Sequence, residues 1–258
     1  MKEVLRKGKA IKLVLFIVML IVGEVSSADN IRELNNKFKV YFLAGDIPAW
    51  KEAVDSLRNA PLNKDSERVL LYAEYGLIGN YIGAKRKSEA RVELPFFETR
   101  LEKALSRYPN DGELYAFLAA SVAYNIALQP LSAPFLSSTH TNNIQKALEL
   151  SPDMGLPLVE QANSLYFRPA LVGGDKEKSI EVYEKAFNFY HNNKPGHWMY
   201  YNVGAWLGQV YANQGYEQKA EAIYEYLLVT APDFLWVKDE LLPQLQEGKA
   251  QGIRFFED

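Results

Sequence analysis

Between residues 207 and 232, large, small and turn-forming residues fall at fixed intervals. Leu207-Gly208, Tyr211, Gly215-Tyr216, Ala220, Tyr224 and Pro232 mark one helix, a tight turn and a second helix. Tyr224 and Leu227 continue from Ala220 at four and seven positions, which is the spacing of one helix face. Gly208 and Ala220 leave room where two helices approach closely. Gly215 ends the first helix, because a left-handed closing residue is best supplied by glycine, and Pro232 stops the second.

The same frame fits Ile31 to Lys64. Phe38 and Tyr41 lie on a first helix, Gly45-Asp46 makes the turn, and Trp50, Val54 and Leu57 follow on a second. Trp50 stands where a small residue is usual, which predicts a splayed or shifted pair. Three units lie between these two. Their first helices are expected at Ser66–Gly83, Gly112–Leu128 and Asp153–Phe167. Their second helices are expected at Pro95–Tyr108, Asn142–Leu150 and Lys176–Tyr190, with Ala104, Ala147 and Ala186 at equivalent places. Asn110 and Glu113 read as a capping box for the helix that follows. The turns Gln129–Thr139 and Arg168–Asp175 read as long insertions. Leu235–Glu247 reads as a final helix that covers the last apolar face, as a stacked repeat requires.

This order of residues resembles the tetratricopeptide repeat, a helix-turn-helix unit of about 34 residues. Two further stretches carry a narrower resemblance. One is Phe167-Arg168-Pro169-Ala170-Leu171-Val172-Gly173-Gly174-Asp175-Lys176-Glu177-Lys178; the other is Ala231-Pro232-Asp233-Phe234-Leu235-Trp236-Val237-Lys238 with Leu241-Leu242-Pro243. Both are similar to exported tetratricopeptide-like proteins of Bacteroidota, over roughly residues 66 to 245. A more distant resemblance is to the helical-repeat component associated with TRAP-type periplasmic transporters. The resemblance implies an all-α solenoid of about five helix pairs with a capping helix. It also implies that certain first-helix positions line a concave groove. In the first unit these are Arg32, Asn35, Lys39, Phe42 and Leu43; in the last they are Asn202, Ala205, Gln209, Ala212 and Asn213. Of these, Arg32, Asn35, Lys39, Asn202, Gln209 and Asn213 could grip a peptide backbone or carboxylate.

The first 28 residues change the picture of location. Lys2, Arg6, Lys7, Lys9 and Lys12 precede the apolar run Leu13–Val22, and Ser26, Ser27 and Ala28 follow. That order predicts a secretory leader cleaved after Ala28, and a periplasmic or secreted domain over residues 29–258. The run is shorter than the ~20 residues of a comfortable membrane span. The chain has no Cys, so disulfides, thiolate chemistry and a lipidated cysteine are excluded. It has 29 basic and 32 acidic residues. Removing the leader takes away those five cations with Glu3 and Glu24, leaving 24 against 30. This acidic balance argues against a nucleic-acid partner.

Candidate chemistry is sparse. Gly173-Gly174-Asp175-Lys176 lacks the spacing of a phosphate loop and reads as a left-handed turn followed by a capping Asp175. His191 and His197, with Glu184 or Asp175, do not have the spacing of a metal site and read as surface-loop histidines. Ser132, Ser137 and Ser138 near His140 carry no nucleophile pattern. Carboxylates such as Glu181 and Glu184 alternate with Lys185 as on a solvated face. No catalytic residue, metal or cofactor is expected. The chain is expected to hold a protein or peptide of the cell envelope. The alternative is a carrier of a small apolar ligand beneath the two long turns, and an enzyme is the third reading. Trp198, after the Pro195-Gly196 break, is a candidate pocket residue.

Overall fold

Asp46, Asn63, Asp111, Asp175 and His197 each accept a backbone N–H at the start of a helix. Such caps satisfy amides that would otherwise lack partners and set where the helices begin. The computed structural model describes residues 30–248, and among them every regular element is helical. The leader expected over residues 1–28 lies outside the described residues. The helices run α1 (residues 30–43), α2 (Ile47–Arg58), α3 (Lys64–Gly83), α4 (Lys87–Arg107), α5 (Gly112–Leu128) and α6 (Ala133–Leu150). They continue as α7 (Gly155–Phe167), α8 (Lys176–Asn193), α9 (Trp198–Asn213) and α10 (Glu217–Thr230). A π-helical turn over Trp236–Leu241 leads into the short α11 (Leu242–Gln246), and this segment packs on α10. The protein is all-α.

Within the pairs α3–α4, α5–α6, α7–α8 and α9–α10, the two helices pack closely. The tightest approach with a stated cause is at Gly208. A Cβ there would lie 2.2 Å from Cε1 of Tyr224, so only hydrogen fits between α9 and α10. Ala104, Ala147, Ala186 and Ala220 are all buried on the second helices, where a longer side chain would push the partner away.

Helix α3 departs from a one-sided amphipathic helix. Residues Val69–Tyr75 are buried without a break, as are Leu77, Ile78, Tyr81 and Ile82. A helix buried on every face must be surrounded. Its neighbours explain this: Tyr75 reaches Glu160 of α7, Tyr72 reaches Tyr190 of α8, and Tyr75 also faces Trp198 of α9. The two chain ends close over it. The Trp50 and Trp198 rings meet edge to face at 5.1 Å, while Phe42 lies 5.3 Å from Trp198 and 5.4 Å from Phe234. Gly76 of α3 sits beneath this cluster, where a Cβ would fall 2.8 Å from Trp198 and 2.9 Å from Trp50.

Four sequence expectations are corrected. Gln129–Thr139 is not a long turn: a single 3₁₀ turn, Pro130–Ser132, leads directly into α6. Pro134 suits a first helical turn, and Ser137 and Thr141 donate to carbonyls four residues back, so this polar run stays helical. Helix α4 starts at Lys87 and passes through Pro95, because Ala90, Glu93, Leu94 and Phe97 bury one continuous face on both sides of it. The cap of α5 is Asp111, whose Oδ1 accepts from the Glu113 and Leu114 amides at 3.1 and 3.3 Å. Glu113 itself turns inward. Trp50 does not splay its pair; its indole donates to the Ala73 carbonyl at 2.9 Å and joins the closing cluster.

Gly208→Leu should lower stability by about 1–3 kcal/mol or more, because Tyr224 is fully buried and cannot swing aside. Thermal or urea unfolding measures this directly. A midpoint equal to that of the unmodified chain would contradict the packing described here.

Candidate functional site

The groove positions read from the sequence are largely occupied. Asn213 donates to the Tyr166 hydroxyl at 2.7 Å, and Gln209 and Ala205 are buried within α9 packing. Asn35 donates to the Ile31 carbonyl of its own helix, and the Asn202 amide points at the Met199 sulfur, 3.9 Å away. Arg32 is exposed and Lys39 half-buried on α1. Phe42 is half-buried against the closing cluster and Leu43 is buried in the core. Trp198 is likewise a core residue; it is 2% exposed. The repeat positions sit at the α9–α10 seam and its turn: Leu207, Tyr211, Ala220 and Tyr224 are buried, and Gly215 has φ +81°. Gly45, in the first turn, has φ +62°.

The interior between α3, α7 and α8 holds a chain of buried polar groups. The Tyr75 hydroxyl donates to Glu160 at 2.9 Å, and the Asn163 amide approaches the same oxygen at 3.3 Å. Tyr183 donates to Asn163, extending the chain to α8, and the Tyr124 hydroxyl donates to the Tyr75 carbonyl at 2.9 Å. A second branch runs from Tyr72, which donates to Glu113 and lies 3.3 Å from the Tyr190 hydroxyl. Arg68 and Lys194 stand 3.0 and 3.7 Å from Glu113.

Four buried glutamates therefore differ in their partners. Glu74 is held by Arg58 at 2.7 Å and Arg100 at 2.9 Å; Glu93 by Arg58 at 2.6 Å and Lys51 at 3.3 Å. Glu113 has the two cations just named. Glu160 is fully buried with hydroxyl and amide donors, and among the described residues no cation pairs with it. Burial raises its pKa to about 7, although Tyr75 and Asn163 oppose the rise. Removal from water disfavours the charged form, and two neutral donors do not compensate.

Of the two histidines read as surface-loop residues, His191 is exposed, in the last turn of α8, and His197 is not on the surface. His197 is buried, caps α9 by accepting the Met199 amide at 3.2 Å, and packs its ring 4.7 Å from Tyr72. Burial and then Lys194 lower its pKa to about 3, so it is neutral. His140 is also buried, and burial followed by Arg168 lowers its pKa to about 4. His191 packs on Phe187 and Tyr226 rather than on His197. Among the described residues, no group of three or more His, Asp or Glu side chains could hold a metal ion. The hydroxyls of Ser132 and Ser137 are spent on backbone carbonyls at 2.7 and 2.6 Å, not on His140.

The open surface lies elsewhere. Two depressions, of about 500 and 490 Å³, share Leu148 and Gln161 and form one furrow along α6, α7 and α8. Ile144, Leu148, Leu158 and Phe189 supply its apolar floor, while Gln145, Gln161, Asn188 and Asn192 supply amides. Sequence reading missed this furrow. Its residues fall almost wholly on helices the sequence did place, but how α6, α7 and α8 sit side by side has no local signal. Compared with known proteins, the chain matches no family model and no curated protein.

Glu160 makes a pH-dependent contribution with a defined sign. Its folded pKa lies above the ordinary carboxyl value, so the native state binds more protons between about pH 4.5 and 7. Stability from this group is complete below that window and lost as pH rises through it, by about 3 kcal/mol in total. His197 and His140 act oppositely below pH 6.5, so the difference between wild type and Glu160→Gln is the informative quantity. Urea unfolding should show the variant gaining on wild type from pH 5 to about pH 7 and levelling off above it. A difference independent of pH would contradict the assignment.

Proposed function

We propose that this chain is an exported tetratricopeptide-like repeat protein that holds a protein or peptide partner on an open helical surface. The solenoid reading rests on the five successive helix hairpins and the covering segment after α10. Export rests on the basic start, apolar run and small residues of the leader. Among the described residues no helix is long and apolar enough to cross a membrane.

The furrow along α6, α7 and α8 is the observation that carries the binding reading. Its floor combines aliphatic and aromatic carbon with a row of amide side chains. Amides donate and accept at once, which suits the alternating N–H and C=O of an extended backbone, and the apolar floor suits side chains between them. The interior offers less, since Tyr75, Glu160, Asn163 and Tyr183 already bond one another. The partner's seat is therefore the furrow rather than the positions on α1 and α9.

A photo-crosslinking amino acid placed at Gln161 or Gln145, in cells that make the protein natively, tests this. The expected result is a discrete protein adduct from both positions and none from Asn35 or Asn202. Adducts only from Asn35 and Asn202 would move the site back to the α1 and α9 face. No adduct, together with a bound apolar small molecule by native mass spectrometry, would replace the scaffold with a carrier.

A further inference from the structure

The end of the molecule that carries the turns within the hairpins has an unusual surface. From Leu114 to Gln145 the chain contains no Asp, Glu, Lys or Arg. This stretch includes the α5–α6 turn, where Leu131 is 86% and Phe135 81% exposed. The α7–α8 turn exposes Leu171 fully and Val172 by 62%. Both turns lie at the same end of their hairpins, and Arg168 at the end of α7 donates to Thr141 of the neighbouring α6 at 2.9 Å. Scattered exposed apolar residues are ordinary, but four large ones concentrated at two neighbouring tips are not.

The third adjoining turn is cationic. Arg91 of α4 donates to the carbonyl of Leu128, the last residue of α5, at 2.9 Å, so the α3–α4 turn lies beside the α5–α6 turn. That turn and the start of α4 read Lys85-Arg86-Lys87-Ser88-Glu89-Ala90-Arg91, four cations against one carboxylate in a chain that is acidic as a whole. Lys85 has φ +59°, in the left-handed region. The corresponding turns of the first and last hairpins place Gly45 and Gly215 there. An exposed lysine thus occupies a position where the backbone favours glycine.

We propose that this end of the protein docks on a bilayer that contains anionic phospholipid. Leu131, Phe135, Leu171 and Val172 enter the interface between headgroups and acyl chains, while Lys85, Arg86 and Lys87 meet the headgroup charge. The tips protrude, so they suit a deformable apolar layer better than a complementary protein groove. The charge-free flanks of the α5–α6 turn can enter the headgroup region without desolvating an ion, and the α7–α8 turn presents residues 169–174 between Arg168 and Asp175. The adjacent cations supply attraction that anionic lipid strengthens and salt weakens. This contact is separate from the furrow and stands or falls independently of it.

The absence of cysteine gives a direct test. Leu171→Cys, Phe135→Cys and, on an exposed turn at the far end of α4, Asn110→Cys are each labelled with an environment-sensitive fluorophore in the full chain. Vesicles of equal parts phosphatidylglycerol and phosphatidylcholine are then added. The expected result is a blue shift and severalfold rise in emission at positions 171 and 135, reduced by salt or by pure phosphatidylcholine, with position 110 unchanged. Lys85→Gly should raise the melting midpoint while lowering partition onto the anionic vesicles severalfold. Three results would overturn the proposal. The first is no change at 171 and 135, including the case where the protein co-sediments through some other segment. The second is an emission change that grows with protein concentration without lipid, which would assign the tips to a second copy of the chain. The third is undiminished partition in Lys85→Gly.

Discussion

The burial of α3 on every face is the constraint on which the other features depend. An ordinary stack of helix hairpins lets each unit touch only its neighbours and leaves a continuous concave side. Here Trp50 of α2, in the first hairpin, meets Trp198 of α9, in the last, and the closure encloses α3. Gly76 makes that closure possible, since no side chain fits between α3 and the two indoles. Aromatic edge-to-face pairs of this kind add about 0.5–1.5 kcal/mol beyond the area they bury.

Enclosure has an electrostatic consequence. Carboxylates that would face solvent in an open stack become interior groups. Glu74, Glu93 and Glu113 are met by arginine and lysine partners brought from other parts of the fold. Glu160 has only neutral donors and responds by holding its proton to about neutral pH. Breaking a buried pair is costly because it strands a charge, so these networks fix the register between helices even where their net stabilisation is small. Inner positions such as Gln209 and Asn213 are packed, while the furrow and the apolar turn tips are open surface.

Much of the hairpin pattern was legible in the residues. The first helices α5 and α7 fall within two residues of the ranges read from apolar spacing, and the Gly208–Tyr224 contact follows from a glycine placed opposite a large ring. Pro95 and the Ser137-Ser138-Thr139 run misled the reading, because local signals for a helix end were overridden by a buried face on α4 and by hydroxyl-to-carbonyl bonds on α6. The interior site was less legible. Glu74 and Glu160 are embedded in apolar stretches, Leu70 to Tyr75 and Leu156 to Ala162, and that embedding is a usable sign of burial. What it could not reveal is the partner of each, since Arg100 and Tyr75 reach them across helices. The contact between residues 50 and 198 has no local signal at all.

The closure of the two ends over α3 is tested most directly by a double-mutant cycle between Trp50 and Trp198. Urea unfolding of Trp50→Leu, Trp198→Leu and the pair would yield the coupling energy between residues that an open stack keeps apart. A coupling of about 0.5–3 kcal/mol is expected for side chains in contact. Strictly additive losses would mean that the rings do not meet in solution, and the enclosed interior described here would be wrong.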